Sequence, residues 1–188
     1  CLRRFAQLIA DLPAAAVRVV ATSTLRTARN RQTFINQAQK ILGQRIDVIS
    51  GREEARLIFL GISHSLPSNC STRLAIDIGG GSTEFIIGQN FESQYRGSLP
   101  IGCVRFTSQF MTDCRINRTN YQQIYTATRL ELLEIEQRLQ RLCWQEAVGA
   151  SGTIKSVAQA CHAAGIGNGE ITLEGIIFLK QKLFEWQH

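Results

Sequence analysis

The 188 residues carry 21 Lys and Arg against 15 Asp and Glu, a net charge of +6, and are 44 % hydrophobic, enough for a buried core in one large or two small domains. No apolar run approaches the roughly 20 residues of a membrane helix and no basic-then-apolar leader opens the sequence, so neither a membrane span nor a signal peptide is expected. The chain opens at Cys1 and its single methionine is Met111, which reads as a piece excised from a longer protein.

The positive charge is mainly arginine, since the only lysines are Lys40, Lys155, Lys180 and Lys182. Arginine is the better fork for phosphate oxygens, although genomic base composition produces the same bias. No block of consecutive like charges exists and only three tyrosines and two tryptophans are present, so a compact phosphorylated substrate fits better than nucleic acid. The six cysteines, at positions 1, 70, 103, 114, 143 and 161, form no CxxC pair. Neither a zinc site nor a disulfide framework is expected, and the compartment is expected to be reducing and cytoplasmic. Cys103 is the best placed of them for a nucleophile, against the commoner role of a small buried thiol.

In chain order, residues 2–12 have helical apolar spacing and stop at Pro13. Residues 17–21 are strand-like, 34–42 form an amphipathic helix closing at Gly43, 45–49 are again strand-like, and a helix opens at Ser50. Strand, helix, strand, helix implies a parallel α/β sheet in a first domain of residues 1–62. The polar stretch 63–71, with Pro67, Ser68 and Asn69, is the expected linker. In the second domain, residues 72–188, apolar strands at 74–78 and 84–87 flank Gly79-Gly80-Gly81-Ser82 and call for a hairpin, and a strand at 95–99 completes a meander. A helix over 120–142, a strand at 147–148, the turn 149–152 and two more helices follow.

The strongest chemical feature is Ile76-Asp77-Ile78-Gly79-Gly80-Gly81-Ser82-Thr83-Glu84. A turn centred on Gly80 and Gly81 makes Asp77 and Glu84 cross-strand partners, and two opposed carboxylates repel. A divalent cation resolves the conflict, and magnesium characteristically takes one or two carboxylates together with substrate phosphates. The glycine amides with Ser82 and Thr83 then form a phosphate cradle; the alternative is a tight turn with solvated acids. In Ser50-Gly51-Arg52-Glu53-Glu54, Glu53 fits a capping box with Ser50, whereas Glu54 shares the helix face of Ile58 and Gly61. It is either a general base in a cleft or an ordinary exposed glutamate. Thr22-Ser23-Thr24-Leu25-Arg26 offers a helix N-terminus and a phosphate-binding arginine, or simply a Ser23 or Thr24 cap. Gly149-Ala150-Ser151-Gly152-Thr153 is a strand-to-helix turn of the same character, with Lys155 nearby, or a plain βα turn.

Together these four segments resemble the exopolyphosphatase and guanosine pentaphosphate phosphatase (Ppx/GppA) family along nearly the whole chain. The resemblance implies ribonuclease-H-like α/β domains of the actin, sugar kinase and Hsp70 superfamily, flanking a cleft and incomplete here at both ends. It implies Glu54 as the catalytic glutamate and Asp77 and Glu84 as magnesium ligands. Phosphate would be bound by Arg26, the loop Gly79, Gly80, Gly81, Ser82 and Thr83, and the turn residues Ser151, Gly152 and Thr153. The implied activity is release of terminal phosphate from polyphosphate or guanosine pentaphosphate, by a cytoplasmic parent that is homodimeric. A nucleotide-sensing module without catalysis and a sugar or acetate kinase of the same superfamily are the competing readings. The family's first phosphate loop, an acidic residue followed by glycine and serine, is not among these residues, so this stretch alone is expected to be nearly inactive.

Overall fold

The computed structural model describes residues 1–67, 71–113 and 115–185. They form two compact units, residues 1–54 and 55–188.

In the first unit, α1 (Leu2–Ile9) stops four residues short of Pro13, and a 3-10 turn (Ala14–Ala16) leads into β1 (Val19–Ala21). α2 (Ser23–Thr27), α3 (Arg31–Leu42) and β2 (Ile46–Val48) follow, giving the expected alternation. β1 and β2 pair in parallel, Val19 beside Ile46 and Ala21 beside Val48, because the connection through α3 returns the chain to the same end of the sheet. Ile35, Ala38, Leu42 and Ile46 make the core, with Leu2, Ala6, Val19, Ala21 and Leu25 packed on it. Phe5 and Leu8, which the helical spacing assigns to the same apolar stripe, are 58 % and 69 % exposed. Gly43 ends α3 at φ +64°, the left-handed conformation that glycine reaches without a Cβ clash.

α4 (Gly51–Ser65) starts in the first unit and runs into the second. The expected linker 63–71 is therefore helical over its first three residues: the polar Ser63, His64 and Ser65 extend the helix instead of ending it. The Ser65 hydroxyl bonds back to the Gly61 carbonyl at 2.8 Å, and the His64 ring lies 4.9 Å from that of Phe91. Ser68, Asn69 and Cys70 of that stretch lie outside the described residues.

The second unit is built on β3 (Arg73–Ile78), β4 (Thr83–Gln89) and β5 (Glu92–Leu99), an antiparallel meander, with β6 (Glu146–Ala150) parallel to β3. The spatial order is β5-β4-β3-β6. Alternation along the strands divides the sheet into two apolar faces. Ala75 and Ile86 pack against Ala55 and Phe59 of α4 on one face. Phe85 and Leu99 pack against Ile135 on the other, a residue of α6 (Arg118–Arg141), which follows α5 (Cys103–Phe110). α7 (Ser151–Ala163) leaves β6 directly and α8 (Leu173–Lys182) comes after it. Among the described residues no helix is long and apolar enough to cross a membrane.

Candidate phosphate and metal site

In the first unit, β1 feeds α2 and β2 feeds the first turn of α4, both at the carboxyl ends of parallel strands, where α/β sheets bind ligands. Thr22 occupies the N-cap position of α2 without a side-chain cap bond, so neither Ser23 nor Thr24 is the cap. Arg26 Nη1 donates to the Ile49 carbonyl at 3.1 Å and to Glu54 Oε2 at 2.7 Å. Spacing along α4 gives Glu54 no partner; the fold gives it one, 28 positions away, and the two side chains are 22 % and 18 % exposed. A charge-assisted bond of this length holds the carboxylate in one orientation. Oε1 has no described hydrogen bond, so Oε2 is the oxygen this contact holds. The Ser50 hydroxyl accepts the Glu53 N–H at 3.2 Å, which bears out that half of the capping box.

In the second unit the register sets Asp77 opposite Glu84, and Glu84 opposite Ser98. Directly opposed residues share a face, so the three side chains lie beyond Ala75 and Ile86 on the α4 side of the sheet. Glu84 is 2 % exposed and accepts from the Ser98 hydroxyl at 2.8 Å. Ser98 was not legible in the sequence, because a register shift at Ile87/Gly88 breaks the simple counting that works for the tight hairpin.

The intervening loop is held by the start of α5. The Gly79 carbonyl accepts the Cys103 N–H at 3.0 Å and the Gly80 carbonyl accepts the Arg105 N–H at 2.9 Å. The Gly79 N–H bonds to the Ser82 carbonyl at 2.9 Å, closing the turn. The amides of Gly80 and Gly81 have no described hydrogen bond. Ser82 is buried beside them. Thr83 is placed differently from the expectation of a phosphate donor: its hydroxyl donates to the Ile101 carbonyl at 2.7 Å, so its one proton is already used.

The parallel pairing of β3 with β6 sets Ala150 beside Asp77 and so brings the start of α7 to the same edge. The Ser151 hydroxyl donates to the Ile78 carbonyl at 3.1 Å, and Ser151 has φ +88°, a left-handed backbone that costs a non-glycine residue about 1–3 kcal/mol. The serine is thus a strained brace between α7 and β3. No side chain caps α7, and a Cβ at Gly152 would meet nothing within 4 Å. An open, uncapped terminus of a 13-residue helix favours an anion. The Thr153 hydroxyl bonds to Cys103 Sγ at 3.7 Å. Cys103 is exposed, not the buried thiol that small cysteines usually are, because it starts a helix whose buried residue is Phe106.

The donor set suits a hard cation. Two carboxylates on one face, one buried and hydrogen-bonded, match the one or two that magnesium takes from protein when phosphates supply other ligands. Among the described residues no group of three His, Cys, Asp or Glu side chains stands close enough to hold a metal unaided, so an ion here needs oxygens from water or substrate.

The model of the Ppx/GppA phosphatase family matches residues 1–188. A guanosine-5'-triphosphate,3'-diphosphate pyrophosphatase from Aliivibrio fischeri is 38 % identical over all of this chain and 37 % of its own length. One from Pseudoalteromonas translucida is 40 % identical over 97 % of this chain and 36 % of its own. The chain thus spans little more than a third of these curated relatives. Among solved structures, an exopolyphosphatase from Cytophaga hutchinsonii superimposes with a TM-score of 0.76 at 28 % identity, covering 92 % of this chain and 55 % of that one. The Aquifex aeolicus Ppx/GppA enzyme gives 0.64 at 26 %, covering 88 % and 52 %. The α/β architecture expected from the motifs is the one these proteins share, and the chain belongs to the Ppx/GppA phosphatase family.

Proposed function

We propose that the protein from which this chain comes is a phosphohydrolase that removes terminal phosphate from inorganic polyphosphate or guanosine pentaphosphate. The observation that carries this reading is Glu54: a half-buried carboxylate oriented through Oε2 by Arg26, with Oε1 left to take a proton from water. Water attacks the terminal phosphorus, the bond to the bridging oxygen breaks, and the shortened anhydride leaves while Glu54 holds the proton. In the second unit the amides of Gly80 and Gly81 and the start of α7 are the phosphate binders, and in the first unit Arg26 orients the base. Asp77 and Glu84 are the residues that would hold magnesium, which when bound offsets phosphate charge. The activities for which the relatives from Aliivibrio and Cytophaga are named support the substrate class.

Phosphate release by the full-length protein tests this. It should accumulate from tripolyphosphate in magnesium buffer with no alcohol or carboxylate acceptor added. Turnover that requires a sugar or acetate acceptor would replace hydrolysis with kinase chemistry.

A further inference from the structure

We propose that Gly102 is a positioning residue for the phosphate-binding loop: its missing side chain lets the start of α5 lock the Gly79–Gly80–Gly81 peptides so that two amides face the ligand. The proposal rests on the phosphate reading of that loop.

Gly102 is buried and its backbone is extended, at φ −153° and ψ 145°, a conformation open to any residue. What requires glycine is space. A Cβ there would lie 2.4 Å from the Gly80 oxygen, 2.5 Å from the Gly80 carbonyl carbon and 2.5 Å from the Gly81 nitrogen. All three atoms are backbone and belong to one peptide unit, so no side chain can swing aside.

That contact bears on the donors through peptide geometry. In a trans planar peptide the C=O and the following N–H point in opposite directions. The Gly79 and Gly80 carbonyls are turned toward α5 by the Cys103 and Arg105 amides. The N–H groups of Gly80 and Gly81, on the far side of the same two peptides, are therefore aimed away from α5 as a pair. Two adjacent backbone donors aimed together make an anion nest. The Thr83 hydroxyl donates to the carbonyl of Ile101, the residue before Gly102, and ties that end of α5 to β4. The first turn of α5 serves the loop's carbonyls and so leaves its amides to the substrate.

The test is an NMR titration of the 15N-labelled chain with inorganic pyrophosphate, comparing wild type with Gly102→Ala, alongside kcat/KM for phosphate release in the full-length protein. In the wild type the Gly80 and Gly81 amides should shift together and saturate. In Gly102→Ala, with strand resonances of β3 and β4 unmoved, pyrophosphate affinity read at those amides should fall at least tenfold. kcat/KM should fall about a hundredfold, the cost of misplacing a group by about an ångström. A folded Gly102→Ala that binds within twofold of wild type would overturn the positioning role alone. No response of the two amides in wild type would overturn the phosphate reading along with it. If Gly102→Ala does not fold, Val104→Ala decides. Val104 is 64 % exposed, and its Cγ2 lies 3.3 Å from where a Gly80 Cβ would stand. It should bind pyrophosphate about threefold more weakly, and unchanged binding would overturn the proposal.

Discussion

Arg26 and Glu54 show how one contact settles what local spacing leaves open. Glu54 on α4 reads equally as a surface glutamate and as a base, since nothing within four residues explains it; the arginine that does lies beyond a helix, a strand and a turn. Replacing Arg26 by Gln leaves a carboxylate that is only 18 % exposed without its cation. Stability to urea should fall by about 1.5–3 kcal/mol, the loss of a hydrogen bond to a charged group. The opposed acids of the second unit behave in the other sense. Glu84→Gln keeps an oxygen for the Ser98 hydroxyl and removes the repulsion with Asp77, so stability without magnesium should hold or rise by up to about 1 kcal/mol. A clear loss of melting temperature would make Glu84 a structural hydrogen-bond partner instead of a metal ligand. That pairing was legible from position alone, because a hairpin centred on Gly80 and Gly81 fixes its own register.

Among the elements, two turns carry backbone conformations whose costs differ in origin. Gly43 ends α3 with φ +64°, and a Cβ there would meet nothing within 4 Å, so Gly43→Ala should lose about 1 kcal/mol by backbone strain alone. Ser151 carries the same kind of strain but uses its hydroxyl to brace α7 on β3. Ser151→Ala keeps the strain and loses the brace, whereas Ser151→Gly loses both, so chemical denaturation should rank the glycine variant above the alanine. The reverse order would show that φ +88° is not costly here. The sequence marks α3, with its Gly43 stop, and the βα turn at 149–153 by local chemistry. It does not mark the seam between α5 and the glycine loop, where the only signal is a glycine at 102 with no turn to explain it. Nor does it mark the end of α4, since polar residues such as Ser63 and Ser65 suit an exposed helix as well as a linker.

At the scale of the molecule the charge is unevenly placed. Residues 1–54 hold nine of the 21 Lys and Arg and only four of the 15 Asp and Glu, or +5 of the net +6. A positive surface of this kind draws in polyanions over a Debye length of about 8–10 Å and is screened by salt. In the full-length protein kcat/KM for polyphosphate should fall as ionic strength rises, while kcat at saturation holds. In the proposed mechanism Glu54 acts on water while the loops bind phosphate, and Glu54→Gln in the full-length protein separates the two most directly. Phosphate release and pyrophosphate binding are measured on the same preparation. The mechanism predicts release down by at least about a hundredfold, within the range of a lost general base, with binding within a fewfold of wild type. Release close to wild type would contradict it, and would leave the pair with Arg26 as a structural contact.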